Sequence, residues 1–387
     1  MPTASFQVVE QAARAAGFER VGVAPAWDSQ MRELQQFAPW VESGYAGEME
    51  YLKRRNERGE YKRSSLQAAL PWAESVIVAA MNYNPPAVKS TDRALPTQGW
   101  ISRYALSPAD YHEIVLRALK HVESALLEHF TAANRQIETR AYVDTGPVLE
   151  RAYAKYAGIG WIGKNTCIIN QELGSWIFLG VIVTSLPYSE FVPEQNLAVA
   201  PDRCGSCTRC IDACPTQAIV APGQLDASRC IAYFTIEKRG TIPEEMRERI
   251  GRHVFGCDIC QDVCPWNRKA PVTANPALQP DSSLVNPDLG ELAQLSVEDF
   301  RRRFRGSPIS RAKYSGLLRN VAIAMGNSGR DEYVPMLDEM AASPDGVVAE
   351  HARWAIEQIC RGKVGTPRRS VLPDQPSGAP KSEAPAS

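Results

Sequence analysis

The chain has 387 residues, 44% apolar and 22% charged, and its 43 basic and 44 acidic side chains leave a formal net charge of −1. That length predicts two or three domains. The near-neutral balance excludes a generally basic nucleic-acid binder, leaving local basic patches for any such role. The longest unbroken apolar run, Trp176 to Val183, is too short to cross a bilayer.

From the N-terminus, Phe6 to Gly17 has helical periodicity, Ser75 to Met81 reads as an apolar strand, and Tyr111 to Phe130 as a long amphipathic helix. Arg140 to Val143 then predicts a strand, Pro147 to Ala157 a helix, and Gly174 to Thr184 a further strand. Together these describe an α+β or α/β domain over residues 1–195. The segment Gly158-Ile-Gly160-Trp-Ile-Gly163 matches the G-x-G-x-x-G dinucleotide fingerprint in letters. A helix precedes it and a strand follows, the reverse of what pyrophosphate binding needs. Gly158 is therefore expected to be the left-handed cap that closes the preceding helix.

Residues 196–288 hold most of the cysteines: Cys204, Cys207, Cys210 and Cys214 before Pro215, then Cys230, then Cys257, Cys260 and Cys264 before Pro265. The first run has the C-x2-C-x2-C-x3-C-P spacing of bacterial two-cluster ferredoxins, in which the fourth thiolate crosses to the neighbouring cluster. In the second run Val254 stands where a cysteine belongs, so a distant thiolate has to complete that cluster. Cys230 is the natural candidate and Cys167 the rival. With Cys230, Cys204, Cys207, Cys210 and Cys264 hold one [4Fe–4S] cluster, and Cys214, Cys230, Cys257 and Cys260 the other. Zinc sites use C-x2-C pairs. A disulfide framework suits small secreted domains, and no apolar signal segment follows Met1. An electron-transfer role is the expectation. Cys360, ending an apolar helical pattern, reads as a buried structural thiol.

Residues 289–365 are expected to be wholly helical. Asn320-Val-Ala-Ile-Ala-Met325 resembles His351-Ala-Arg-Trp-Ala-Ile356, which suggests a short HEAT-like repeat, with two ordinary amphipathic helices as the alternative. The last stretch, residues 366–387, is proline-rich and poor in apolar residues, the composition of a disordered tail.

Three segments carry a family resemblance: Asp144-Thr-Gly-Pro-Val-Leu-Glu-Arg151, Gly160-Trp-Ile-Gly-Lys-Asn165 and the cysteine array. Tyr51-Leu-Lys-Arg-Arg-Asn-Glu-Arg58, Ser102-Arg-Tyr-Ala105 and Asp110-Tyr-His112 support them. From about residue 5 to 360 the chain resembles the epoxyqueuosine reductases. The resemblance implies a cytoplasmic, cobalamin-dependent enzyme that removes the epoxide oxygen of epoxyqueuosine at a tRNA wobble position, giving queuosine. Its electrons would come through two [4Fe–4S] clusters from a low-potential donor such as flavodoxin or ferredoxin. It also implies an N-terminal cobalamin-binding domain, while the short apolar runs point to no membrane partner, and a monomer is expected. Asp144 would donate the proton, and Arg58, Asp144, Lys164 and Cys167 would line the corrin.

Opening an epoxide leaves an alkoxide that must be protonated, which gives Asp144 a task. An aspartate titrating near about 3.9 is ionised at neutral pH, so the role requires burial against corrin or substrate. The plainer alternative is that Asp144 caps the helix expected from Pro147. For tRNA, Arg301, Arg302, Arg303, Arg305, Arg311, Lys313 and Arg319 form a basic run, and Lys53 to Arg63 a second. Arg302, Arg303, Arg311 and Lys313 are the expected phosphate contacts. The competing functions are a corrinoid reductive dehalogenase and a ferredoxin-type electron carrier.

Overall fold

The computed structural model describes residues 3–27, 31–192 and 199–361; the expected tail at 366–387 lies outside them. The N-terminal part is built on a four-stranded sheet of β1 (Arg20–Pro25), β2 (Ser75–Asn82), β3 (Thr139–Tyr142) and β4 (Ile177–Thr184). Their order is β1-β2-β4-β3. Every pairing is antiparallel, the α+β side of the expectation.

All eight residues of β2 are buried, because helices cover both faces of the sheet. Side chains alternate across a strand. Ile77, Ala79 and Met81 therefore enter a layer with α1 (Ala4–Ala15) and α2 (Tyr111–Ala132), meeting Val9, Val115, Leu119 and Val122. Val76, Val78 and Ala80 enter the opposite layer with α3 (Glu150–Tyr156), meeting Ala152, Tyr153 and Tyr156. Gly180 in β4 lets α2 lie directly on the strand, since a Cβ there would sit 2.6 Å from Leu119.

The helix expected from Pro147 begins at Glu150, and the strand expected from Gly174 begins at Ile177. Gly158 has φ +75° and closes α3 as expected.

The cysteine segment follows the sheet. Each C-x2-C run carries a short helical turn, Arg209–Asp212 in the first and Ile259–Asp262 in the second. The upstream chain braces the second run. His253–Phe255 pairs in parallel with Trp100–Ile101. The Asp258 carboxylate accepts from the Ser102 hydroxyl and, at 2.6 Å, from the Arg103 N–H. Asp262 accepts from the N–H and hydroxyl of Ser90 at 2.8 and 2.6 Å.

Beyond Leu289 the described chain is helical, ending in α4 (Lys313–Ser328), α5 (Val334–Ala341) and α6 (Gly346–Arg361). The two similar segments lie on α4 and α6, which pack against each other. Leu317 to Gly326 are all buried, because α4 is covered by α6 on one side and by the cysteine segment on the other.

Two expectations are corrected here. Arg319, read as part of a solvent-facing basic run, is 1% exposed. Its guanidinium donates to the carbonyls of Phe234, Lys238 and Gly240 (2.6, 3.0 and 2.8 Å) and to Asn320 Oδ1. It ties α4 to the cysteine segment, because a buried guanidinium needs several acceptors. Cys360, read as buried, is exposed, since it lies on the outward face of α6, beside buried Ile359.

Candidate active site and cluster thiols

Asp144 follows β3. It has φ +55°, and the Thr145 N–H donates to the Val143 carbonyl across it at 2.6 Å. A positive φ under an i to i+2 bond is the rare γ-turn, a strained backbone for a residue other than glycine. The turn aims the carboxylate outward, and its side chain is 56% exposed. Asp144 does not cap α3, whose N-cap is Leu149, so the plainer alternative falls.

The N-terminus of α2 faces this carboxylate. The Tyr111 hydroxyl donates to Asp144 Oδ2, and Nε2 of His112 lies 4.0 Å from the same oxygen. The His112 Nδ1 lies 2.7 Å from Asp110 Oδ1, and Asp110 also caps α2 by accepting the His112 N–H at 3.0 Å. Burial works to raise the Asp110 carboxyl, but its bonds from His112 outweigh it and hold the group below the ordinary value. The Tyr111 ring stacks on Phe178 at 4.2 Å and lies 4.1 Å from the His112 ring. Burial, then the Asp144 charge and hydrogen bond, push the Tyr111 hydroxyl far up, so it stays a donor.

Glu150, at the start of α3, is buried with Oε1 unpartnered. Burial first, then the charge of Asp144, push its carboxyl up to about 7. Arg63 donates to the Asp144 carbonyl at 3.4 Å. Arg311, from the C-terminal half, pairs with Glu237 at 3.0 Å. Its charge acts on Tyr51, Tyr104, Asp110 and Tyr111. The mouth around Asp144 thus draws on distant parts of the chain.

The other expected corrin residues fall into two places. Arg58 is exposed in a turn, with its N–H on Asn56 Oδ1 at 3.0 Å. Lys164 donates to the Gly205 carbonyl at 2.7 Å, and the Cys167 thiol is hydrogen-bonded to Cys260. Lys164 and Cys167 therefore face the cysteine segment. Arg151 connects the two places. It donates to the carbonyl and hydroxyl of Thr166 at 2.7 and 3.0 Å, and its charge acts on both Glu150 and Cys167.

None of the ten cysteines is in a disulfide. Among the described residues no three Cys, His, Asp or Glu side chains are placed to hold a single metal ion. The thiols instead fall into two sets. Cys210 has Cys264, Cys204 and Cys207 as neighbours; Cys257 has Cys230 and Cys214, and Cys260 has Cys167 first, then Cys257 and Cys230. The first set has four thiols, the donor number of one [4Fe–4S] cluster, and the second has Cys214, Cys230, Cys257 and Cys260 with Cys167 beside them. Burial first, then neighbouring thiols, push Cys210 up to about 11, and iron binding to such thiols displaces their protons. The Trp161 indole N–H donates to Cys204 Sγ at 3.4 Å, a bond to a ligand sulfur of the kind that tunes a cluster's potential. Cys167 and Cys230 both lie against Cys260 in the second set.

Sequence reasoning missed Asp110, Tyr111, His112 and Glu150 as neighbours of Asp144. The only signal was that Asp110-Tyr-His112 and Glu150 stood inside the segments that carried the resemblance.

Residues 203–267 match the family described as a 4Fe-4S double cluster binding domain, and residues 63–145 match the family described as "Epoxyqueuosine reductase QueG, DUF1730". An epoxyqueuosine reductase of Pseudomonas aeruginosa is 40% identical over 362 residues, covering 92% of this chain and 95% of that protein. A crystal structure of an epoxyqueuosine reductase with an epoxyqueuosine-modified tRNA-Tyr stem loop superposes with TM-score 0.76 at 31% identity, covering 92% of this chain and 91% of that one. The Bacillus subtilis enzyme, described with its catalytic Asp loop swung out of the active site, gives TM-score 0.75 at 31% identity over the same shares.

Proposed function

The chain belongs to the epoxyqueuosine reductase family, and from that premise we propose that it reduces epoxyqueuosine in tRNA to queuosine, with two [4Fe–4S] clusters and cobalamin as its cofactors. The observation that carries the reading is the carboxylate of Asp144, presented on a strained turn in a chain whose thiols gather in two groups. When bound, the clusters and cobalamin supply low-potential electrons to the epoxide carbon. Cys204, Cys207, Cys210 and Cys264 would hold one cluster, and Cys214, Cys230, Cys257 and Cys260 the other. Arg58, Asp144, Lys164 and Cys167 would line the corrin. Arg151 supports that assignment by lacing the Thr166 loop to the Asp144 side of the site.

Asp144 is the proton donor in this reading. Its carboxyl is half open, so corrin and substrate supply the desolvation that favours the neutral acid. Tyr111 orients the carboxyl by donating to Oδ2.

Arg302, Arg303, Arg311 and Lys313 would contact tRNA phosphates. Arg302 pairs with Asp299, Arg303 donates to the Ser283 carbonyl at 3.2 Å, and Lys313 is exposed. Partly exposed pairs of this kind are weak, so phosphate can displace them. Replacing Arg302 and Arg303 with alanine should flatten the dependence of log Kd on log salt by roughly 1 to 2, read by binding titration against a modified stem loop. An unchanged slope would place the phosphate contacts elsewhere.

Cys230→Ser should cost only the second cluster, leaving about half the iron and the EPR signal of the first. Full iron content with both signals would transfer the ligand role to another thiol.

The proposed layout is a catalytic domain at 1–195, a ferredoxin-like module at 196–288 and a HEAT-like helical domain at 289–365, supported by α4 and α6 packing as a pair. The enzyme is proposed to act as a cytoplasmic monomer fed by flavodoxin or ferredoxin. Among the described residues no helix is long and apolar enough to cross a membrane.

The test is to incubate the anaerobically reconstituted protein with cobalamin, a low-potential reductant and epoxyqueuosine-containing tRNA, then weigh the digested nucleosides. Queuosine formed only when cobalamin is present supports the reading. No conversion by protein loaded with both clusters and cobalamin overturns it.

A further inference from the structure

Removing an epoxide oxygen as water takes two electrons and two protons. One C–O bond breaks as the oxygen gains its first proton; the other breaks as the resulting hydroxyl gains the second and leaves, and the two carbons are joined by a double bond. Asp144 carries one exchangeable proton, so a second has to reach the site within each turnover.

The groups around it show where that proton enters. The His112 Nε2 lies 4.0 Å from Asp144 Oδ2, while Nδ1 lies 2.7 Å from Asp110 Oδ1. A carboxylate on Nδ1–H fixes the tautomer and leaves Nε2 as the nitrogen that gains and gives protons. Asp110 is itself held as the cap of α2, and the stacked Tyr111 ring limits how far the imidazole can turn. His112 keeps 18% of its side chain exposed, so water reaches it. The alternatives are poorer. Tyr111 holds its proton firmly, and Glu150 is buried. The other charges facing this group are Arg63 on the Asp144 carbonyl and Arg311 with its partner Glu237.

We propose that Asp110 and His112 form the proton entry of this site, carrying the second proton of each turnover from solvent to Asp144, an inference that rests on Asp144 being the donor. Water protonates Nε2, the imidazolium passes that proton to the Asp144 carboxylate, and His112 returns to neutral. His112 thus acts through Asp144.

The experiment uses the loaded enzyme with epoxyqueuosine-containing tRNA. His112→Ala should lower turnover on the order of 10²-fold, and added imidazole should restore part of it, with cluster EPR signals and stem-loop affinity unchanged. Asp110→Asn keeps the helix cap, since asparagine caps as well as aspartate, and should displace the pH–rate profile. Unchanged turnover and pH profile in both variants, or a His112→Ala loss that imidazole does not touch, overturns the inference. Asp144→Asn separates the two levels. Inactive and insensitive to imidazole, it leaves the donor reading standing whatever His112 does; active, it removes that reading and this inference together.

Discussion

Asp144→Asn is expected to lower turnover on the order of 10²- to 10⁴-fold, the range lost when a positioned acid is removed. The amide has nearly the shape of the carboxyl but no proton that an alkoxide can take. It can still accept from Tyr111 through its carbonyl oxygen. Asparagine also tolerates the left-handed backbone that φ +55° imposes, so the turn should survive. Iron content, both cluster EPR signals and the absorption of bound cobalamin should match the unmodified protein. Near-normal turnover would remove Asp144 from the chemistry. Asp144→Ala is the harsher comparison, because a Cβ-only residue at that φ adds backbone strain of about 1–3 kcal/mol to the loss of the acid.

The second large effect is structural. Arg319→Ala should destabilise the fold by about 3–5 kcal/mol, the loss typical when one partner of a buried charged network is deleted. The carbonyls of Phe234, Lys238 and Gly240 lose a shared donor, and each buried acceptor left unmade has its own cost. Arg319→Lys should recover only part of this, because one ammonium cannot reach the acceptors that a planar fork spans. Denaturant midpoints of the anaerobic, cluster-loaded protein would measure both. A change within about 0.5 kcal/mol for alanine, the range of ordinary surface positions, would mean that water replaces the guanidinium.

The helices and strands around the sheet were legible because period-2 and period-3.6 patterns follow from burial on each face of an element, as in β2 and α2. The cysteine spacing was legible because neighbouring ligands of one cluster are close in sequence. Arg319 was not. A charge run states that cations are adjacent in the chain, whereas whether one of them points inward depends on the carbonyls of Phe234 and Gly240, some eighty residues away. The exposure of Cys360 failed for a similar reason, since an apolar helical pattern does not say where its buried stripe ends. The surroundings of Asp144 were only half legible. Asp110, Tyr111 and His112 were visible as a tripeptide, but their approach to Asp144 depends on how α2 is seated on β4, which Gly180 permits.

The Ser102 and Arg103 bonds to Asp258 join points 156 and 155 residues apart. During synthesis the loop around Ser102 emerges long before the thiols of Cys257, Cys260 and Cys264. Domains fold roughly in the order they are made, so this loop waits for its anchor until Asp258 emerges, between Cys257 and Cys260. A nascent chain halted before Asp258 would leave the Arg103 N–H without its acceptor and both thiol sets incomplete. The second cysteine run is thereby tied to a loop made some 155 residues earlier, so a change at Asp258 would loosen the Ser102 loop together with the run.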